Sequence, residues 1–198
     1  MIYKSFDKSM IADLPVASFP GRIIVIHTAG ETESAVRYLL SQQLLGIDTE
    51  TRPSFKRGEH HLVSLLQVST PDTCFLFRLR HTGFTSALKD FLEDKSVTKV
   101  GLSLGDDMHS LHRIGAFTPG NFIDIQDMVK MVGIEDLSLQ KLYANLFRQK
   151  ISKRQQLSNW DADMLSDKQK LYAATDAWAC INIYNELRHL IAEGVKGE

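Results

Sequence analysis

The stretch Leu44-Leu45-Gly46-Ile47-Asp48-Thr49-Glu50 decides the fold, because a short apolar run ends there in two carboxylates. Side chains alternate along a β-strand, so Asp48 and Glu50 point to the same face. The apolar residues before them predict a strand that is buried in a sheet. A strand that runs out into solvent would also end in polar residues, so the stretch alone leaves both interpretations open.

The segments on either side predict an α/β fold with a mixed central sheet flanked by helices. β-Branched runs predict further strands, and apolar residues at helical spacing predict helices. The predicted strands cover residues 22–28, 44–50, 62–69, 73–78, 97–101 and 122–124, and the predicted helices cover residues 31–43, 85–92, 106–114, 137–147 and 167–192. Strands followed by helices around further strands are typical of such a sheet. Residues 1–21 are predicted to be an irregular lead-in to one domain at residues 22–193.

Composition narrows the class of protein. The chain has 198 residues, of which 43% are hydrophobic, and a formal net charge of −1. These values exclude collagen-like, coiled-coil and low-complexity proteins, and they do not by themselves indicate nucleic-acid binding. No apolar run has membrane-spanning length, and the N-terminus has no apolar signal core. With only Cys74 and Cys180, which we expect to be buried and inert, we expect a cytoplasmic protein without a membrane partner.

A second acidic position lies in the last predicted helix. Tyr172 and Asp176 are four residues apart and therefore share one helix face. Alanines around them allow another backbone to approach closely. An aspartate on such a packed helix needs a partner or a metal ion, because a buried unpaired charge is costly. A hydrogen bond to nearby backbone would also satisfy it.

A third acidic position lies in Gly101-Leu102-Ser103-Leu104-Gly105-Asp106-Asp107. Asp107 aligns with Leu111 and Ile114 on the predicted core side of the helix. Asp106 suits an N-cap or first-turn position instead. We therefore expect Asp107, rather than Asp106, to point inward. Four carboxylates in one pocket would repel each other unless a hard divalent cation such as Mg²⁺ or Mn²⁺ neutralised them.

These motifs in this order resemble the DEDD superfamily of 3′–5′ exonucleases, in the tyrosine branch that includes ribonuclease D and the Werner exonuclease domain. The three motifs are Asp48-x-Glu50, the stretch from Val100 to Asp107-x-x-x-Leu111, and Tyr172-x-x-x-Asp176. Leu157-Ser158-Asn159-Trp160, followed by Gln169 to Ala177, is similar to the same branch. The resemblance spans about residues 22–187. It implies a ribonuclease H-like fold. Relatives of the ribonuclease D type often carry a C-terminal helical nucleic-acid-binding domain, and the length of this sequence leads us to expect none here.

The resemblance also implies a mechanism. Asp48 would bridge two Mg²⁺ or Mn²⁺ ions, Glu50 and Asp176 would complete the tighter site, and Asp107 would hold the second ion. Tyr172 would orient the attacking water and could help to deprotonate it. The implied activity is stepwise hydrolysis of DNA or RNA from a single-stranded 3′ end, with release of nucleoside 5′-monophosphates. The use of the same site on short oligonucleotides or on structured RNA ends is a variant of this activity. A non-catalytic nucleic-acid-binding or scaffold module that retains the motifs is the alternative, and the oligomeric state stays open.

Basic residues and one aromatic residue are candidates for substrate contact. They form one group after the first motif and a second group further along the chain: Arg52, Lys56 and Arg57, then Arg148, Lys150, Lys153, Arg154 and Trp160. The cations could contact phosphates, and a solvated surface would explain them as well. Trp160 could stack on a base, although an aromatic residue next to a helix start is more often a packing residue.

Overall fold

A six-stranded mixed sheet forms the centre of the computed structural model, which describes all 198 residues. The strands are β1 (Arg22–Ile26), β2 (Leu44–Thr51), β3 (Val63–Ser69), β4 (Thr73–Arg78), β5 (Thr98–Gly101) and β6 (Phe122–Asp124). Their order across the sheet is β1-β4-β3-β2-β5-β6. β3 is antiparallel to both its neighbours, and every other adjacent pair is parallel. The predicted mixed sheet is therefore confirmed.

Seven α-helices flank the sheet. They are α1 (Ala29–Leu39), α2 (Leu79–Thr82), α3 (Ser86–Glu93), α4 (Leu104–His112), α5 (Ile125–Met131), α6 (Leu139–Phe147) and α7 (Asp167–Glu193). Helices α1, α3 and α4 pack on one face of the sheet, whereas α7 packs on the other and is itself covered by α5 and α6. The helices α2 and α5 were not predicted, because segments of four and seven residues are too short to show a periodic pattern. None of the helices is both long and apolar enough to cross a bilayer.

Helix α7 approaches the central strand β2 unusually closely. A Cβ atom on Gly46 would lie 1.9 Å from the carbonyl oxygen of Ala177, so only glycine fits beneath the helix. The start of α7 is fixed by a capping box, in which the Ser166 side chain accepts the Gln169 backbone N–H and the Gln169 side chain accepts the Ser166 N–H. Gly46 therefore allows α7 to lie close to β2, and the capping box at Ser166 and Gln169 fixes where α7 begins.

The N-terminal lead-in is more ordered than predicted. It contains a 3₁₀ helix at Lys8–Asp13, and Phe6 and Ile11 are buried against α6. The two ends of the chain are hydrogen-bonded to each other, since the Lys4 N–H donates to the Glu198 carbonyl at 2.8 Å and the Glu198 N–H donates to Ile2 at 3.1 Å. The segment was predicted to be irregular because its partners lie far away in the sequence.

Candidate active site

Three carboxylates meet where β2 passes under α7. Asp48 and Glu50 lie on the α7 face of β2, because the alternate residues Leu45 and Ile47 pack on the opposite face. Asp176 enters from α7 and is only 5% exposed. One oxygen from each of the three carboxylates lies within 4.8 Å of the others. The structure therefore brings together acidic residues that are about 130 positions apart along the chain.

Asp107 is not one of the three clustered carboxylates, but it lies close enough for its charge to raise the pKa of Asp48 and of Glu50. Its side chain is 9% exposed, and it accepts a hydrogen bond from the hydroxyl of Thr49. Thr49 is the middle residue of the Asp-x-Glu motif and points away from α7, toward α4. Asp106 is exposed. The structure thus orients Asp107 inward and Asp106 outward, as expected from the helical spacing.

A strained turn places α4 in this position. Ser103, directly before the helix, has a left-handed backbone with a φ of 61°, which is uncommon for a residue other than glycine. The carboxylate of Asp124 holds the turn, because it accepts the backbone N–H groups of Ser103 at 3.0 Å and Leu104 at 2.8 Å. Since β5 and β6 are parallel neighbours, Asp124 at the end of β6 lies beside the turn that follows β5. No local sequence signal indicates this role.

Burial disfavours the ionised form of each of these carboxylates, and repulsion from neighbouring carboxylates adds to this effect at Asp48 and Glu50. Burial raises the pKa of Asp48 well above its usual range, and the charges of Asp107 and Asp176 raise it further. Burial, followed by the same two neighbours, raises the pKa of Glu50 to about 9. Burial also raises the pKa of Asp176 to about 7 and that of Asp107 to about 6. Such a group can be fully ionised at neutral pH only if positive charge is bound among the carboxylates.

Tyr172 lies one helical turn before Asp176 and lines the same cavity. Burial raises the pKa of its phenol, and the carboxylate of Asp176 raises it further. The phenol is therefore protonated at neutral pH and can donate a hydrogen bond. This state suits a group that orients a water molecule rather than one that removes a proton from it.

The cavity above the carboxylates has a volume of about 290 Å³. Its walls include residues that sequence reasoning missed, namely Leu102, Ser138, Leu139, Gln140, Ile151, Gln156 and Cys180. Of the basic candidates, Lys153 lines this cavity, and Arg154 lines a neighbouring one of about 240 Å³ that shares Ile151 and Tyr172. Arg52, Lys56 and Arg57 are exposed in the loop after β2 and do not line either cavity.

Three other candidates have structural roles. The suggestion that Trp160 stacks on a base is wrong for this structure, because its side chain is fully buried and its ring lies beside Tyr172. The Arg148 guanidinium lies over the rings of Tyr3 and Phe6 and donates to the Met1 carbonyl. The Lys150 ammonium donates to Ala12. Both cations therefore hold the N-terminal segment, and neither lines the cavity above the carboxylates.

The segment that follows Lys153 and Gln156 is hydrogen-bonded to side chains of α7 and of β4. The Gln169 amide donates to the Ser158 hydroxyl at 3.0 Å and to the Asn159 carbonyl at 3.1 Å. From β4, the guanidinium of Arg78, which is 1% exposed, donates to the carbonyls of Ala162 and Asp163. These bonds hold residues 158–163, which follow the cavity-lining Lys153 and Gln156 in the chain, against α7 and β4.

The donor set fits hard divalent cations. The cluster offers carboxylate oxygens only, the ligands that Mg²⁺ and Mn²⁺ prefer. One oxygen of Asp176, Oδ1, is buried and has no hydrogen-bond partner. A buried carboxylate oxygen without a partner is costly, and a cation bound between Asp48, Glu50 and Asp176 would satisfy it.

Comparison with a family profile and with known sequences matches the chain to 3′–5′ exonucleases. A family profile described as 3′–5′ exonuclease matches residues 23–192. The chain is 31% identical to the mouse bifunctional 3′–5′ exonuclease/ATP-dependent helicase WRN over 92% of its own length but only 14% of that protein. It is 30% identical to a 3′–5′ exonuclease of Arabidopsis thaliana over 95% of its own length and 72% of that protein.

Solved structures show the same fold. The EXO domain of Nibbler from Aedes aegypti matches with a TM-score of 0.81 at 18% identity, covering 91% of this chain and 95% of that one. Ribonuclease D of Trypanosoma brucei, in a complex with RNA U12, matches with a TM-score of 0.73 at 19% identity, covering 90% of this chain and 64% of that one. These likenesses confirm the predicted ribonuclease H-like architecture.

Proposed function

Because the chain belongs to the 3′–5′ exonuclease family of the DEDD superfamily, we propose that it removes nucleotides one at a time from the 3′ end of single-stranded nucleic acid. The products would be nucleoside 5′-monophosphates. The observation that carries this proposal is the approach of Asp48, Glu50 and Asp176 to within 4.8 Å in one cavity. Ionised carboxylates this close repel one another and so destabilise the fold, whereas a bound cation would be attracted to all of them.

Two Mg²⁺ or Mn²⁺ ions are the proposed cofactors. Asp48, Glu50 and Asp176 would hold one ion, and Asp107 together with Asp48 would hold the other. When bound, such a pair stabilises the attacking and leaving oxygens of a phosphodiester displacement. The hydrogen bond from Thr49 orients Asp107, and the Asp124-bound turn fixes the helix that carries it.

The protein's own groups would complete the reaction. The protonated phenol of Tyr172 would orient the attacking water, which forms a bond to phosphorus while the bond from phosphorus to the 3′ oxygen breaks. The attacking water gives up one proton to solvent, and the departing 3′ oxygen takes one up. Lys153 lines the same cavity as the carboxylates and would contact the phosphate of the terminal nucleotide, with the amides of Gln140 and Gln156 as further polar contacts.

RNA is the substrate that we propose to test first, with DNA beside it. Support comes from the structural likeness to Trypanosoma brucei ribonuclease D, which was solved with RNA. The exonuclease–helicase relative in mouse is the reason for including DNA. The chain spans only 14% of that relative, so the comparison concerns the exonuclease region alone.

The test uses 5′-labelled single-stranded RNA and DNA of the same base sequence. Each would be incubated with Mg²⁺, Mn²⁺ or EDTA, with the wild-type protein and with Asp48→Ala. We expect a ladder that shortens from the 3′ end with either metal, and intact substrate with EDTA or with the variant. Intact substrate in every lane, for a folded protein that binds Mn²⁺, would favour a non-catalytic binding module. Turnover by Asp48→Ala at the wild-type rate would show that the site is assigned wrongly.

A further inference from the structure

Gln67 is a buried amide that has no partner in the folded protein. It lies at the centre of β3, and its side chain is 0% exposed. Neither its amide nitrogen nor its amide oxygen makes a hydrogen bond. Buried polar groups are nearly always paired, so this side chain requires an explanation.

The sheet register places Gln67 next to the carboxylates. Gln67 lies directly opposite Asp48 in the antiparallel pair of β3 and β2. Directly opposite residues share a face, with their Cβ atoms about 4.5–5.5 Å apart. That face is the one covered by α7, because Leu65 and Leu76, the neighbours of Gln67 along and across the sheet, pack against Ala173 and Ala174.

The fold itself gains nothing from an amide at this place. Leu65 and Leu76 beside it are apolar, and the buried polar side chains of Ser69 and Arg78 on the same face donate to backbone carbonyls rather than to the amide. An apolar residue of the same length would leave no unpaired amide atoms here. Asp48, on the other side, accepts one hydrogen bond, from the Thr49 backbone N–H at 2.9 Å. The Gln67 amide N–H thus has no acceptor, and it lies opposite the Asp48 carboxylate, which can accept further hydrogen bonds.

We infer that Gln67 is a positioning residue, whose amide N–H holds the Asp48 carboxylate in the orientation that binds the divalent cations. The inference rests on the proposed function, because it assigns a role toward the ions of that site. Side chains that bind metals commonly depend on such an outer hydrogen bond for their orientation, and its loss weakens metal affinity or activity about 10–100-fold.

The test replaces Gln67 by methionine, which has a similar length and no hydrogen-bonding amide. We expect Gln67→Met to be at least as stable as the wild type without metal, by urea unfolding. We expect its Mn²⁺ dissociation constant, from calorimetry or electron paramagnetic resonance, to rise about 10-fold or more. In steady-state kinetics over a range of oligonucleotide concentrations, kcat should fall while the KM for the oligonucleotide stays unchanged. The matched control is Leu65→Met, on the same face of β3 opposite Glu50, which should leave Mn²⁺ affinity unchanged.

Each other outcome overturns a specific claim. If Gln67→Met binds Mn²⁺ as tightly as the wild type, Gln67 is a packing residue. If it is less stable than Leu65→Met or fails to fold, the amide serves the fold, and the inference is wrong. Gln67→Leu repeats both measurements with a differently shaped apolar side chain. If the wild-type protein itself neither binds Mn²⁺ nor degrades RNA or DNA, the proposed function fails instead.

Discussion

Asp106 and Asp107 are adjacent in sequence but differ in burial, so single substitutions at the two positions should differ in effect. Asp107 is nearly buried and bonded to Thr49, whereas Asp106 is exposed in the first turn of α4. We expect Asp107→Asn to lower turnover about 100-fold or more, because a charge that stabilises the transition state is lost. Asp106→Asn should stay within about twofold of the wild type. Steady-state rates on labelled RNA measure both; equal losses would contradict the assignment of Asp107.

Tyr172 allows a separation of catalysis from metal binding. Its phenol lines the cavity but is not among the clustered metal-ligand candidates. We expect Tyr172→Phe to slow single-turnover cleavage about 100-fold, because the attacking water loses its orientation. Mn²⁺ affinity should be unchanged. A parallel loss of Mn²⁺ affinity would instead make Tyr172 a structural support of Asp176.

Residues whose roles depend on spacing within one element were predictable from sequence. Asp48 and Glu50 share a strand face, and Tyr172 and Asp176 share a helix face, whatever the rest of the chain does. Arg148 was not predictable, because its carbonyl partner at Met1 is 147 positions away. For Trp160, base stacking and packing both stayed open in the sequence, since nothing local shows that distant residues such as Phe19 and Leu76 join the core cluster around it.

At the scale of elements, the distance between β2 and α7 controls the site. These two elements carry three of the carboxylates, and Gly46 is where they come closest. We expect Gly46→Ala to lower the free energy of unfolding by about 1–3 kcal/mol, because the added methyl meets the Ala177 carbonyl and the backbone must shift. Mn²⁺ affinity should fall as well, since Asp176 would move away from Asp48. Urea unfolding and a Mn²⁺ titration provide the two measurements.

A second glycine provides the control for this substitution. Gly30 lies in α1, and a Cβ atom there would meet nothing within 4 Å. Gly30→Ala should leave metal affinity unchanged and should raise stability by no more than about 1 kcal/mol, through the helix propensity of alanine. If Gly46→Ala behaved like Gly30→Ala, the close approach of α7 would be unimportant for the site.

Long elements were predicted well at this scale, and their connections were not. The helix at Asp167–Glu193 has enough apolar residues at regular spacing to be recognised within about one residue at its C-terminal end. The turn before α4 depends on Asp124, which belongs to a neighbouring strand. Strand order was likewise not predicted, because it depends on pairings between distant segments, such as β1 with β4.

For the whole molecule, the carboxylate cluster predicts how stability depends on pH. The pKa values of Glu50 and Asp176 are raised to about 9 and about 7 in the folded protein, above the unfolded values of about 4. As pH rises above about 4, the unfolded chain releases these protons first, so the free energy of unfolding decreases with pH. We expect the metal-free protein to melt several degrees lower at pH 8 than at pH 5.

Cations and one substitution should both reduce this pH dependence. Saturating Mn²⁺ should raise the melting temperature more at pH 8 than at pH 5, because it binds the ionised carboxylates. Asp48→Asn should melt higher than the wild type at pH 8 without metal, since repulsion is relieved. Thermal melts followed by circular dichroism measure these effects. A pH dependence unaffected by either change would mean that other groups dominate it.

The hydrogen-bonded contact between Ile2, Lys4 and Glu198 has a practical consequence for rearranging the chain. Because the two ends already lie side by side, a short peptide can connect them without disturbing the sheet, and new ends can be opened in the exposed loop of residues 52–60. In such a circular permutant, the carboxylates of α7 would precede those of β2 along the chain. The site would then keep its three-dimensional arrangement, although the order of its motifs along the chain had changed.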